Sequence, residues 1–271
     1  PRLCHSSLGP PVVLLFGFEH KHFTMREAFL TINSISYRYL FVDFELRNLS
    51  YKQCEDVVNN IIIVGAGGFA KEIFGYIQGE INNGLLTHYQ VKGFLDISAE
   101  AFEEMNVDSE YFGSEDDYCI QENDVFLVAI GNIELKEIII NKLLAKNAKL
   151  MTYTHSSAIV DQDSKIGKGV IICPFCIINS QAHIDDYCML NIYSSVAHDS
   201  MLGKYSILSP YATLNGNVST GEKLFMGTRG SILPGLKIGM SCVVAAGTVV
   251  AKDMEDRVTA FPKGRTSYLR K

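Results

Sequence analysis

Ala182-His183-Ile184-Asp185-Asp186-Tyr187-Cys188-Met189-Leu190-Asn191-Ile192-Tyr193-Ser194-Ser195-Val196-Ala197-His198-Asp199 contains three copies of a six-residue pattern. Ile184, Leu190 and Val196 are aliphatic, and two residues before each stands a small residue: Ala182, Cys188 and Ser194. The period runs in both directions without an inserted or lost residue, from Val160 through Ile166, Ile172 and Ile178, and onward through Leu202, Leu208, Leu214, Thr220, Met226, Ile232, Ile238 and Val244 to Val250. Thr220 is the one position in that series that is not aliphatic. A period of six matches neither a helix at about 3.6 residues nor a strand alternating at about 2. It fits a chain wound as a triangular prism, with one hexapeptide per side and three aliphatic ladders inside. At roughly 18 residues per coil and ~4.8 Å between stacked strands, the prism is about 25 Å tall. The residue after each aliphatic is usually Gly, Asn, Asp, Ser or Ala, which predicts the tight corner at that position.

Upstream the pattern is different. Ile61-Ile62-Ile63-Val64 is an unbroken apolar run and reads as a buried strand. Gly65-Ala66-Gly67-Gly68-Phe69-Ala70 follows, and then a helical pattern to about Gln78. Val91–Asp96 and Asp124–Ile130 read as further strands, the second running into Gly131-Asn132. Ile133–Asn147 reads as an amphipathic helix with Leu135, Ile138, Ile139 and Leu143 on one face. Strand, glycine turn, helix and strand in this order make a short Rossmann-like α/β unit. The chain thus divides into residues 1–59, to which no chemistry is assigned, an α/β unit at 60–150, and the repeat at 151–271. Residues 35–47 are rich in aromatic and β-branched side chains and predict one or two strands. Residues 1–24 are open to two readings, inside or outside the folded unit, with Met25 a candidate start.

The charge balance excludes some partners. The 271 residues carry 24 Lys and Arg against 30 Asp and Glu, a net charge of −6, so there is no basic excess to meet a nucleic-acid backbone. No apolar run reaches the ~18 residues of a membrane span. Pro11–Phe18 is short, and Glu19-His20-Lys21-His22 follows where a signal peptide would carry its cleavage site. The seven cysteines are scattered and odd in number, which argues for a reducing, cytoplasmic setting. Cys173-Pro174-Phe175-Cys176 spells a C-x-x-C, but Cys176, Cys188 and Cys242 all fall in the small, inward register, so they read as core residues.

Several stretches together resemble the NeuD-type and PglD-type sugar O/N-acyltransferases. They are Ile62 to Glu72 (IVGAGGFAKE after the first Ile), Gly93-Phe94-Leu95-Asp96, Val128 to Asn132, His155 to Ala158, Ser195 to Asp199, Asn215 to Val218, Leu233-Pro234-Gly235 and Ala246 to Val250. The resemblance spans roughly residues 60–262. It implies a Rossmann-like nucleotide-sugar domain joined to a left-handed parallel β-helix that forms a homotrimer. Acetyl-CoA as co-substrate binds between neighbouring β-helices, no metal takes part, and the acceptor is a sugar amine or hydroxyl.

Acyl transfer from a thioester needs a base, a partner that orients the base, and a donor to the oxyanion. By the resemblance His198 is the base and Asp199 its partner. Gly216, one coil later, stacks beside His198, where its N–H faces the acetyl carbonyl; the alternative is a corner glycine held at positive φ. Asn191 matches a family position near the acceptor and also suits a prism corner. His183 lacks a following acid and reads as surface. Gly65, Gly67 and Gly68 suit a phosphate at a helix N-terminus. Asp96 and Asn132 end strands on the ligand-binding edge, with turn-forming roles as the alternative. Lys252, Lys263 and Arg265 are candidates for the CoA phosphates, or ordinary solvated charges. Three positions depart from the family: Phe69 and Ile207 stand where members often have His, and Ala260-Phe261-Pro262-Lys263-Gly264 replaces the usual ending.

The leading expectation is acetyl transfer to a nucleotide-linked amino sugar in surface-glycan synthesis. O-acetylation of sialic acid or a related sugar is the runner-up, and an inactive hexapeptide scaffold is a third reading from another class. A zinc-dependent hexapeptide enzyme needs three histidines, and the repeats hold only His183 and His198. About ninety residues are too few for a complete dinucleotide domain, which counts against a dehydrogenase.

Overall fold

The computed structural model describes residues 25–32 and 35–42 as backbone, and residues 58–262 with their side chains. Residues 1–24 and 43–57, with Lys263 and Arg265, for which the sequence raised readings above, lie outside the described residues. Two compact units are present, one within residues 1–55 and one within 56–271. In the first, β1 (Met25–Ile32) pairs antiparallel with β2 (Ile35–Val42).

The second unit begins with a five-stranded parallel sheet. Its elements in chain order are β3 (Asn59–Val64), α1 (Gly68–Asn82), β4 (Tyr89–Leu95), α2 (Ala99–Met105), β5 (Glu110–Tyr111), β6 (Asp124–Val128), α3 (Ile133–Ala145) and β7 (Lys149–Leu150). The strand order is β5-β4-β3-β6-β7. Ile61, Ile62 and Ile63 are fully buried at its centre, as an unbroken apolar strand in a parallel sheet requires. α2, β5 and β7 are additions to the elements read from sequence, and α1 runs four residues past Gln78.

The buried face of α3 corrects the sequence reading. Ile133, Lys136, Ile139, Ile140 and Leu143 are inside, whereas Leu135 and Ile138 are 46% and 54% exposed. A lysine lies in the buried stripe, which displaced the apparent apolar face by one position. The Lys136 amine is 1% exposed as a side chain and donates to the Tyr187 carbonyl at 2.8 Å. Burial lowers its pKa to about 8.

From β8 (Tyr153–Thr154) to β25 (Thr259–Ala260) the chain makes two-residue strands that stack in three parallel sheets of seven, six and five strands. This is a left-handed parallel β-helix. Each strand pairs with the one eighteen residues on, as Ser195 does with Thr213 and Val196 with Leu214. The aliphatic ladders are buried: Ile172, Ile178, Ile184, Leu190, Val196, Leu202, Leu208 and Leu214 are all 0% exposed. Each such side chain contributes about 1.5–3 kcal/mol of burial. The register loosens after Val250, where Met254 bridges to Ile238 and Val243 pairs with Thr259, sixteen residues on instead of eighteen.

The left-handed corner does not fall directly after the aliphatic. It falls three residues after it, at every corner from Gly169 to Gly247, and most occupants are not glycine: Phe175, Gln181, Tyr187, Tyr193, Asp199, Tyr205, Tyr211, Asn217, Lys223, Arg229 and Ser241 have φ between 53° and 61°. A left-handed residue costs roughly 1–2 kcal/mol, less than the burial of the ladder residue before it. The position directly after the aliphatic is small for packing, not for φ.

The α/β part and the β-helix are joined by buried and half-buried polar contacts. Glu80 at the end of α1 accepts from Tyr153 Oη at 2.8 Å and from the Ser156 N–H at 2.6 Å. Lys223 on the β-helix pairs with Glu137 of α3 at 2.6 Å. The outward side chains of Tyr153, Ile171, Met189 and Ile207 are buried on this side of the prism.

Candidate active site

Asp199 occupies a left-handed corner at φ 56°, and the residue before it is His198. That turn brings the Asp199 carboxylate to 2.8 Å from His198 Nδ1. A carboxylate only accepts, so Nδ1 carries the proton and Nε2 keeps a free lone pair. Both side chains are open to solvent, at 60% and 50% exposure.

Gly216 lies on the next coil, directly beside the imidazole. A Cβ placed on it would stand 2.6 Å from His198 Nε2 and 2.7 Å from Cε1. Its φ is ordinary, so the residue is glycine because of the ring above it, not because of a left-handed corner. The turn that carries it is held from several sides. The Asn217 N–H donates to the His198 carbonyl at 3.0 Å, and the Gly235 N–H to the Gly216 carbonyl at 3.0 Å. Asn215 Nδ2 donates to the Ile232 carbonyl at 2.6 Å and to Ser231 Oγ at 3.2 Å. The Gly216 N–H has no acceptor among the described residues. The His198 ring and a backbone N–H with no acceptor among the described residues therefore lie on adjacent coils at one corner of the prism.

Asn191 lies on a different corner from His198, at the end of the Met189–Leu190 strand, and the two make no contact by hydrogen bond among the described residues. His183 is exposed on the outer face of its strand. Lys252 lines an open cleft of about 1020 Å³ at the C-terminal end of the prism, with Gly247, Thr248, Phe261 and Pro262. Ile207, at 3% exposure, is packed away from the corner that carries His198.

The glycine turn forms a second, separate cleft of about 300 Å³, lined by Ala66, Gly67, Gly68, Lys71, Ala101, Glu104 and Met105. Gly65 is at φ 114°, and a Cβ there would lie 3.0 Å from the Ala129 carbonyl oxygen, so only glycine fits. Gly67 caps α1 without any side-chain bond, which leaves the first N–H groups of the helix facing the cleft. Asp96 braces this turn: one carboxylate oxygen accepts the Ala66 N–H at 2.8 Å and the other the Ser98 N–H at 2.9 Å. Asn132 caps α3 by accepting the Leu135 N–H at 2.8 Å. Both side chains thus do structural work on the ligand-facing edge. Lys71 in the first turn of α1 was not singled out in the sequence, although its place three residues after the last glycine puts it over the turn.

The four cysteines of the repeat are core residues, whereas Cys119 of the α/β part is exposed. Cys173, Cys176, Cys188 and Cys242 are fully buried and free. Burial raises the Cys173 and Cys176 thiols, and takes Cys188 up to about 12, so these three are not thiolates near neutral pH.

Residues 60–143 match the PglD N-terminal domain family. GDP-perosamine N-acetyltransferase of Escherichia coli O157:H7 is 27% identical over 186 residues, covering 64% of this chain and 78% of that protein. WeeI from Acinetobacter baumannii AYE superposes with a TM-score of 0.65 at 25% identity, over 74% of this chain and 96% of its own. PerB from Caulobacter crescentus, solved in complex with CoA and GDP-perosamine, gives a TM-score of 0.65 at 27% identity, over 75% of this chain and 94% of its own. With a PglD-type N-terminal domain at residues 60–143 ahead of a left-handed β-helix, the chain is similar in sequence and architecture to the NeuD/PglD-type sugar acyltransferases.

Proposed function

We propose that this chain transfers an acetyl group from acetyl-CoA to the amino group of a nucleotide-linked sugar. The observation that carries the reading is the His198 corner: Nδ1 held by Asp199 at 2.8 Å, with Nε2 beside Gly216. His198 Nε2 takes the proton of the attacking amine as its nitrogen bonds to the thioester carbon. Asp199 stabilises the imidazolium that forms, and the Gly216 N–H donates to the carbonyl oxygen as it becomes an oxyanion. Collapse of that intermediate expels the CoA thiolate, which takes a proton. The likeness to two perosamine N-acetyltransferases supports an amine as acceptor over a hydroxyl.

The glycine cleft with Gly65, Gly67, Gly68 and Lys71 is where we place the nucleotide diphosphate, because uncapped N–H groups and a lysine suit phosphate oxygens. Residues 151–271 then carry the transfer chemistry, and Asn191 and Lys252 contact acceptor and CoA. The His198 corner is convex and half open, so a second β-helix supplies the other wall of the CoA groove, in a homotrimer. No described helix is long and apolar enough to cross a membrane.

The test is thiol release from acetyl-CoA against UDP-, dTDP- and GDP-linked 4-amino and 3-amino sugars, with sialic acid in the same panel. Turnover of a nucleotide-linked amino sugar is expected. Turnover of sialic acid alone reverses the choice of acceptor, and thiol release that survives His198→Ala removes the assigned base.

A further inference from the structure

The small inward slots of the β-helix hold three residues with a polar hydrogen, spaced twelve apart, that do the same thing. Cys176 Sγ donates to the Asn191 carbonyl at 3.0 Å, Cys188 Sγ to the Gly203 carbonyl at 3.2 Å, and Ser200 Oγ to the Asn215 carbonyl at 2.7 Å. In each case the acceptor lies fifteen residues on, just past the aliphatic of the next coil. These groups are staples between successive coils, made inside the prism where water does not compete.

Only at Ser200 do the two stapled turns carry the proposed site. Ser200 directly follows His198 and Asp199 and is 1% exposed. Its acceptor, Asn215, directly precedes Gly216. The same hydroxyl accepts the Val218 N–H at 3.1 Å, on the far side of the Gly216 turn, and lies 3.3 Å from the His198 carbonyl. A hydroxyl has one proton, and the shorter Asn215 contact takes it. One buried oxygen therefore grips the Gly216 turn at both ends, from beneath the turn that holds His198. The neighbouring slot offers a contrast. Ser206 Oγ donates to Gly203 of its own turn and accepts the Leu224 N–H, and it touches neither His198 nor Gly216.

We propose that Ser200 is a positioning residue for acyl transfer, which sets the separation between the His198 base and the Gly216 N–H. The proposal rests on the roles given above to His198 and Gly216. Without the staple the Gly216 turn is free to move relative to the imidazole. An error of about 1 Å between base and carbonyl-binding donor costs on the order of 100-fold in rate.

The test compares kcat and acceptor KM for Ser200→Ala, Ser200→Cys, Ser206→Ala and His198→Ala. The assay is thiol release from acetyl-CoA with the amino sugar turned over in the panel, or slow hydrolysis of acetyl-CoA where none is. Ser200→Ala is expected to lower kcat by about 10- to 100-fold with KM within about threefold. Ser200→Cys keeps a donor at thiol length, as Cys176 and Cys188 do, and is expected to regain most of that loss. Ser206→Ala removes an equally buried hydroxyl and is expected to leave kcat unchanged. Equal kcat in the two alanine variants, or no recovery in Ser200→Cys, overturns the proposal while leaving the base assignment intact if His198→Ala is inactive. Full activity in His198→Ala overturns both. Should Ser200→Ala not fold, a kcat lower in Ser200→Gly, which also lacks the donor and has a precedent in the same register at Gly230, than in Ser206→Gly supports the positioning role, and equal values overturn it.

Discussion

His198 and Gly216 share a space that one methyl group would fill. Gly216→Ala puts its Cβ 2.6 Å from Nε2, so the ring must swing away from the corner. Thiol-release kcat is expected to fall by about 100-fold, while the melting temperature changes little, because the ring has solvent to move into. A kcat within threefold of wild type would show that the ring is not held there during turnover. His198→Ala is expected to lower kcat by ~10²–10⁴-fold, and an unchanged rate would rule out a base at this position. The pairing of these two residues was legible from sequence, because a spacing of eighteen is one coil. The reason for the glycine was not. Spacing allowed a corner glycine as well as a cleared space, and only the position of the imidazole ring separates them. Asn132 shows the same limit, since its capping bond to Leu135 follows from where α3 starts.

Thr220 breaks the aliphatic ladder and repairs a bond. Gly203 donates its N–H to Thr220 Oγ1 at 2.9 Å, where neighbouring coils use a backbone carbonyl eighteen residues on, less one. Thr220→Val would perfect the apolar pattern yet leave a buried N–H without a partner. We expect it to destabilise the protein by about 1–3 kcal/mol in urea titration, and a neutral or stabilising result would show that a backbone carbonyl takes over. The sequence disclosed the period, the ladders and the parallel sheet of the α/β part, because burial repeats with geometry. It misplaced the left-handed corner by two residues, since tyrosines, Lys223 and Arg229 accept positive φ once the coils around them are fixed. It also grouped the exposed Leu135 and Ile138 with the buried Ile139 and Leu143 of α3, because no periodicity argument ranks a lysine such as Lys136 among core residues.

Lys136 makes the stability of the whole fold depend on pH, with the gain on the alkaline side. Its amine titrates near 10.5 when unfolded and about 8 when folded. Between those values the unfolded chain holds a proton that the folded one has released, so this residue makes stability rise with pH across that window. Below pH 8 the folded state bears the full cost of the buried charge, roughly 3 kcal/mol. Lys136→Met should therefore be the more stable protein at pH 7, and its advantage should shrink from pH 8 to 10.5 in urea melts. A constant difference would mean that the amine is not desolvated. The stacked coils impose a further condition, on how this molecule can change in length. Deleting six residues between His198 and Gly216 would rotate everything above by a third of a revolution and set Glu222 over the imidazole. Deleting eighteen beyond Val218 would lower the prism by one storey and leave the corner untouched. Viable insertions and deletions in the repeat are thus quantised in whole revolutions, and one revolution, from His198 to Gly216, tolerates none.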